Sequence, residues 1–318
     1  MTRRQPLPRG DAVASTIDIL GFGCAAVDDL LYVEAFPLAD AKAQVLRRDR
    51  QCGGLVATAL VAAARLGARC AYVAPLGEDE LSAFALARLR RERIDVTHVA
   101  PDPKAYPVHS TIVVGDDRGT RNIFFDLSGV LAARALRLPA ALVRSARVLF
   151  IDHLWIARKL PAVRSARRAG IPVVADFEDT ADPRFPELLA LVDHLILSAA
   201  IARQITGAAP AAAVEKLWNS DRQVVVVTGG AEGCWYSTGD ATRHLPAFQV
   251  RAADTTGCGD IFHGAYAAGL ARGLEVEERL RLAAATAALK ATRRGGQAGI
   301  PRRREVERFL RRSAEDAV

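Results

Sequence analysis

The chain has 318 residues, half of them hydrophobic and a quarter charged, with a formal net charge of +7. That length suits one large α/β domain, and no apolar run nears the roughly 20 residues that cross a bilayer. The surplus arginines alternate with apolar residues in segments such as "LARLRRERI" and "PRRREVERFLRRS" and lack the repeated aromatics of a base-stacking surface, which argues for solvated helix faces rather than a nucleic-acid partner.

Residues 1–15, "MTRRQPLPRGDAVAS", have paired arginines but no apolar segment of a signal peptide, and read as a disordered tail. "TIDILGFG" then predicts a buried strand, and "GGLVATALVAAARLGA" a helix of small and apolar residues closed by Gly67. "CAYVAPLG" and "DELSAFALARLRRERI" repeat the pair, the pattern that builds a parallel sheet flanked by helices. Residues 31–52 and 106–126 break the rhythm: they have no helical period, alternate or run β-branched, and include the hairpin-like turn "GDDRG". They predict a small antiparallel β-layer on the α/β core. Further on, "ARVLFID", "IPVVADF", "DHLILS" and "QVVVVTGG" read as strands covered on both faces, with helical connectors such as "LPAVRSARRAG". Cys24, Cys52, Cys70, Cys234 and Cys258 form no CxxC pair and are odd in number, which argues against disulfides or zinc and for a reducing, cytoplasmic setting.

The chemistry concentrates in "RAADTTGCGDIFHGAYAAGL", residues 251–270. Gly257 and Gly259 permit a tight turn whose backbone N–H groups point inward, and the helix that starts near Asp260 brings its positive end to the same place. A carboxylate there can cap the helix or accept a proton from an attacking alcohol. A second glycine-rich turn, "VTGGAEG" with Thr228, Gly230 and Gly233, follows a strand at its carboxyl end, where open α/β sheets bind ligands. The two turns together favour phosphoryl transfer over capping alone.

These motifs resemble the ribokinase-like, or PfkB, carbohydrate kinases. "DTTGCGD" is similar to that family's D-T-x-G-A-G-D signature with Cys258 in place of alanine, and "VTGGAEG" to its T-x-G-x-x-G nucleotide turn. The early double glycine with "VAAARLGA", and "LKATRRGGQAGIP", extend the resemblance from about Ile17 to Pro301. It implies a ribokinase-like three-layer α/β domain over residues 16–318, with a mostly parallel central sheet and a β-lid from 31–52 and 106–126. It also implies Asp260 as the base that deprotonates a sugar hydroxyl, and the amides of Gly257, Cys258 and Gly259 as an anion hole. ATP would be bordered by Thr228, Gly230 and Gly233, and by the Thr292–Gly299 loop with Gly295 and Gly296, which would also lie near a monovalent cation such as K+. Asp28 would bind sugar hydroxyls, Gly53 and Gly54 would let the sugar approach the backbone, and a homodimer through the lid is implied.

Several positions depart from the family. Thr58 takes the place of the asparagine expected after the double glycine. Ser198 and Ile201 replace the asparagine and glutamate of an N-x-x-E motif, so Mg2+ would be held largely by ATP and water, with Asp176, Glu178 and Asp179 as the candidate carboxylates. The chain looks nearest to the sulfofructose kinase branch, although Leu154 stands where that branch would carry arginine, and Lys42 is a candidate lid cation for an anionic substituent. His263 reads as a packing or hydrogen-bonding residue, and Cys258 as a small alanine substitute.

Two other classes fit parts of the chain. "GFGCAA" suits a nicotinamide-dependent dehydrogenase, but "VDDLLYVEAFPL" continues into Pro37 without a helix. A catalytically silent sugar or nucleotide sensor would not need Asp260. The expected activity is therefore an ATP-dependent sugar kinase, with a sulfofructose or nucleoside acceptor as the alternative.

Overall fold

The computed structural model describes residues 16–115, 121–133 and 138–315. The tail 1–15 and most of the "GDDRG" turn lie outside the described residues. The first half of the chain forms β1 (Ile17–Phe22), β2 (Ala26–Val33), β3 (Arg47–Gly53), α1 (Leu55–Arg65), β4 (Cys70–Val73), β5 (Pro75–Leu76), α2 (Glu80–Arg91), β6 (Ala100–Pro101), β7 (Val108–Gly115), β8 (Arg121–Asp126), α3 (Ser128–Ala132) and α4 (Ala140–Arg144). It continues with β9 (Ala146–Asp152), α5 (Ile156–Arg168), β10 (Val173–Asp176), α6 (Phe185–Ala190), β11 (His194–Ser198), α7 (Ala199–Thr206), α8 (Pro210–Leu217) and β12 (Val224–Thr228). The last part contains β13 (Cys234–Ser237), β14 (Arg243–Leu245), α9 (Cys258–Ala271), α10 (Val276–Ala291) and α11 (Arg303–Glu315).

Eight strands form the central sheet in the order β14-β13-β12-β11-β10-β9-β1-β4. The six from β12 to β4 are parallel, and β13 and β14 are antiparallel. Side chains on successive strand residues point to opposite faces. Val148 and Phe150 of β9 accordingly join the core under α1, α9 and α10, while Leu149 and Ile151 join the core under α5 and α8. Burial on both faces explains why these strands read as continuous apolar runs.

The second sheet has the order β3-β2-β7-β8 and confirms the β-layer, with two corrections. It begins at Ala26 rather than residue 31, and it is not wholly antiparallel, because β2 and β7 pair in parallel from Ala26–Val108 to Val33–Gly115. A parallel pair cannot be closed by a short hairpin, and here the core elements α1 and α2 lie between the two strands in the chain. β2 follows β1 after only three residues, which removes the helix that a dinucleotide-binding unit would require. At that junction the fully buried Asp152, ion-paired with the buried Lys159, accepts the Cys24 N–H at 2.6 Å.

α1 and α9 cross at their backbones. A Cβ on Gly264 would lie 2.0 Å from the Ala59 carbonyl oxygen, so only glycine lets the helices meet this closely. Glycine in a helix interior costs roughly 1 kcal/mol in propensity, which burial of nearly the whole of α1 offsets. This crossing sets where the N-terminus of α9 stands relative to Gly53 and Gly54.

Candidate active site

The turn before α9 has the expected form. Gly257 caps the helix at φ +72, a conformation that strains residues with a Cβ. The Cys258 N–H is engaged by the Thr255 carbonyl at 3.2 Å, whereas those of Gly257 and Gly259 have no backbone acceptor among the described residues. Of the three amides expected to form an anion hole, that of Cys258 closes the turn, and those of Gly257 and Gly259 remain available. The Cys258 thiol donates weakly to the Ala287 carbonyl at 3.6 Å, in keeping with a packing role.

Asp260 sits in the first turn of α9, half-buried. Burial pushes its carboxyl well above the ordinary aspartate range, and the Asp176 and Glu178 carboxylates push it further. The N-cap residue is Gly257, which has no side chain, and the Asp260 carboxylate in the first turn accepts its own backbone N–H.

Two cavities meet across this turn. One, of about 540 Å³, is lined by Asp28, Gly53, Gly54, Thr58, Gly257 and Asp260. The other, of about 280 Å³, is lined by Thr228, Gly230, Gly233, Phe248, Cys258 and Gly259, with further apolar side chains from α9 and α10. Ala252 and Thr255 border both. A group held by the amides between the cavities can pass from one to the other.

In the larger cavity Asp28 projects from β2, half-buried, and accepts from Ser110 of β7. Burial raises its carboxyl above the ordinary range, although Ser110 and His109 oppose the shift. A Cβ on Gly53 would lie 2.6 Å from Asp28 Oδ2, and one on Gly54, at φ +91, would lie 2.6 Å from the Ala25 backbone. The double glycine thus keeps space beside a polar side chain. Thr58 is buried, and its hydroxyl accepts from Gln297 at 3.2 Å. Gln51 and Arg294 also line this cavity, and neither stands out in the sequence reading. Gln51 accepts the Gly296 N–H at 2.9 Å, and its place two residues before the double glycine was the available signal. Lys42 lies on the exposed loop between β2 and β3 and does not line the cavity, which corrects its expected role.

In the smaller cavity Thr228 ends β12, and Gly230 and Gly233 have φ of +62 and +92. The Thr292–Gly299 loop does not border this space as expected. Gly295 donates to Asp254 Oδ2 at 2.9 Å, Gly296 lines the larger cavity, and the Thr292 hydroxyl turns back to the Leu289 carbonyl. Asp254 and Gln51 tie the loop to the other side of the turn.

Asp176 and Glu178 stand close enough to Asp260 to shift its carboxyl, but neither lines either cavity. Asp176 Oδ2 is buried with no hydrogen-bond partner, and His263 Nδ1 lies 3.3 Å from it. An orphaned carboxylate oxygen beside the exposed Glu178 suits a hydrated hard cation. No three His, Cys, Asp or Glu among the described residues converge as a metal cage. His263 faces the carbonyls of Gly259 and Ile196 at 2.8 and 3.0 Å and lines neither cavity. Ser198, in place of the expected asparagine, caps α7 by accepting from Ile201 N–H at 3.3 Å.

Comparison with known proteins decides the family, since the model of the "pfkB family carbohydrate kinase" matches residues 18–303. The chain belongs to the pfkB family of carbohydrate kinases. It is 30% identical over 274 residues to a ribokinase of Mus musculus, covering 80% of this chain and 82% of that protein. It is 26% identical to fructokinase-1 of Oryza sativa subsp. japonica, covering 92% and 97%. A solved Arabidopsis thaliana ribokinase, complexed with ribose and ATP, superposes with a TM-score of 0.83 at 22% identity over 92% of this chain and 98% of that one, so the fold is shared. This kinase is thus ATP-dependent and acts on carbohydrate, with the ribokinase-like α/β fold.

Proposed function

We propose that this kinase transfers the γ-phosphoryl group of ATP to a hydroxyl of a sugar or sugar derivative, with Asp260 as the general base. The single observation that carries this reading is the junction of the two cavities at one helix N-terminus, with Asp260 on one side and the glycine-rich Thr228–Gly233 turn on the other. The sugar would occupy the larger cavity against Asp28, and ATP the smaller, apolar one. As the sugar oxygen bonds to the γ-phosphorus, its proton passes to Asp260. The bond from phosphorus to the ADP oxygen breaks, and ADP departs with that electron pair. The free amides of Gly257 and Gly259 face the charge that spreads over the equatorial oxygens. Magnesium, when bound, neutralises phosphate charge, and Asp176 and Glu178 would hold it through water.

Asp28 and the space kept by Gly53 and Gly54 support a polyol acceptor, and the Tyr32, Leu30 and Ile112 side chains that line the same cavity leave a nucleoside as the second reading. Arg294 favours testing anionic acceptors as well, since it is a cation exposed on the wall of the sugar cavity. A coupled ADP-release screen over ketoses, aldoses, phosphorylated and carboxylated sugars, sulfofructose and nucleosides is expected to find turnover with sugars. Turnover with nucleosides alone would overturn the substrate class.

The lid supports a homodimer. Ile123, Phe124 and Phe125 on its edge strand β8 are 51%, 58% and 65% exposed, an apolar edge that a second copy can cover. Sedimentation velocity is expected to give twice the chain mass, and Phe124→Lys with Phe125→Lys the single mass. A monomeric wild-type protein would remove this reading.

A further inference from the structure

Lys290 lies in the last turn of α10, and its side chain is completely buried. A buried ammonium persists only where oxygen ligands replace its water. Its Nζ donates to the Asp254 carbonyl at 2.9 Å and stands 3.6 Å from Asp254 Oδ1. The negative end of the α10 dipole favours a cation at the same place.

Asp254 is the node of the turn that leads to Gly257. Its Oδ1 accepts the Thr256 N–H at 2.8 Å and its Oδ2 accepts the Gly295 N–H at 2.9 Å. The N–H groups of Ala253 and Asp254 both donate to the Ala291 carbonyl, at 2.7 and 3.0 Å. One buried charge therefore joins the end of α10, the loop after it and the turn that presents the free amides. Lys290 lines neither cavity, so it acts on the reaction through Asp254.

We propose that the Lys290 ammonium is a built-in monovalent cation that holds Asp254, and through it the Gly257 and Gly259 amides, in their anion-binding arrangement. The expectation of an external K+ beside the Thr292–Gly299 loop is replaced by a charge already tethered to that loop's partner. The catalytic consequence rests on the kinase reading above, whereas the structural one does not. Removal of the side chain leaves a space edged by the carbonyl and carboxylate oxygens of Asp254, ligands that K+ accepts. Asp254 is 24% exposed, so the space can be reached from solvent.

The test uses the full chain as wild type, Lys290→Ala and Lys290→Met, in K+, Na+ or tetramethylammonium chloride at one ionic strength. Melting temperature and ADP release are both measured. Wild type is expected to melt at the same temperature and turn over within about twofold in all three salts. Lys290→Ala is expected to lose about tenfold or more in kcat in tetramethylammonium, to regain most of it in K+, and to melt about 2 °C or more higher in K+. Lys290→Met, which fills the space without charge, is expected to lose activity and to gain nothing from K+. The proposal is overturned if K+ stimulates wild type about fivefold or more, if Lys290→Met matches wild type, or if Lys290→Ala responds alike to all three salts. Should wild type turn over no acceptor, the kinase reading fails, and the cation dependence of melting still decides the role of Lys290.

Discussion

Asp260→Asn is expected to lower kcat by about 10²-fold or more while the KM for ATP stays within about twofold, since the amide keeps the shape of the carboxylate but cannot take a proton. Steady-state kinetics with the acceptor found in the screen measures it, and near-normal turnover would remove Asp260 as base. The pH profile offers a second reading of the same group. Only the ionised carboxylate can act as base, and burial beside Asp176 and Glu178 raises its pKa. Wild-type kcat/KM is therefore expected to fall as pH drops through a value above the ordinary aspartate range, although the sugar hydroxyl itself titrates far higher.

The sign for stability is opposite to that for activity. A carboxyl whose pKa is raised on folding binds its proton more tightly in the folded chain, so its stability contribution is present below the unfolded pKa and is lost as pH rises through the folded value. Neutral pH lies above the unfolded pKa, so the raised folded pKa of Asp260 opposes folding there, and Asp260→Asn is expected to melt at or above the wild-type temperature. Loss of turnover together with lower stability would point instead to collapse of the α9 turn.

Asp28→Ala is expected to raise the sugar KM by about 10²-fold, with the KM for ATP unchanged. A hydrogen bond to a charged group contributes about 1.5–3 kcal/mol, and two such bonds to sugar hydroxyls account for a loss of this size. Asp28→Asn keeps one acceptor and is expected to lose less. Initial rates with sugar and ATP varied in turn separate the two sides of the site, because Asp28 lines only the larger cavity. An unchanged sugar KM in Asp28→Ala would place the acceptor elsewhere.

The legible parts of this chain are those whose information is local. Covered strands such as "QVVVVTGG" and the small-residue helix α1 are set by period and side-chain size, and both appear where they are expected. The α9 turn is also local: Gly257, Gly259 and Asp260 lie within four consecutive residues, so turn conformation, helix end and carboxylate can be read together. The β-layer was legible as an interruption of the helix–strand rhythm, but the parallel pairing of β2 with β7 was not, because it joins segments about 80 residues apart.

Charge roles were the least legible. Lys42 and Lys290 are chemically identical in a sequence, yet one is exposed on a loop and the other is buried against Asp254. The place of Gly295 and Gly296 was hidden for a similar reason, since hydrogen bonds to Asp254 and Gln51 turn that loop toward the larger cavity.

By itself the sequence determined the sheet-forming rhythm, the glycine-rich helix start and the carboxylate at Asp260, because each depends on residues close together in the chain. Only the tertiary structure decided which amides lack a backbone acceptor, that Lys290 is buried against Asp254 and which cavity each glycine borders. Those properties depend on how α1, α9 and α10 pack around one point, and a contact between distant residues leaves no periodic trace in either segment.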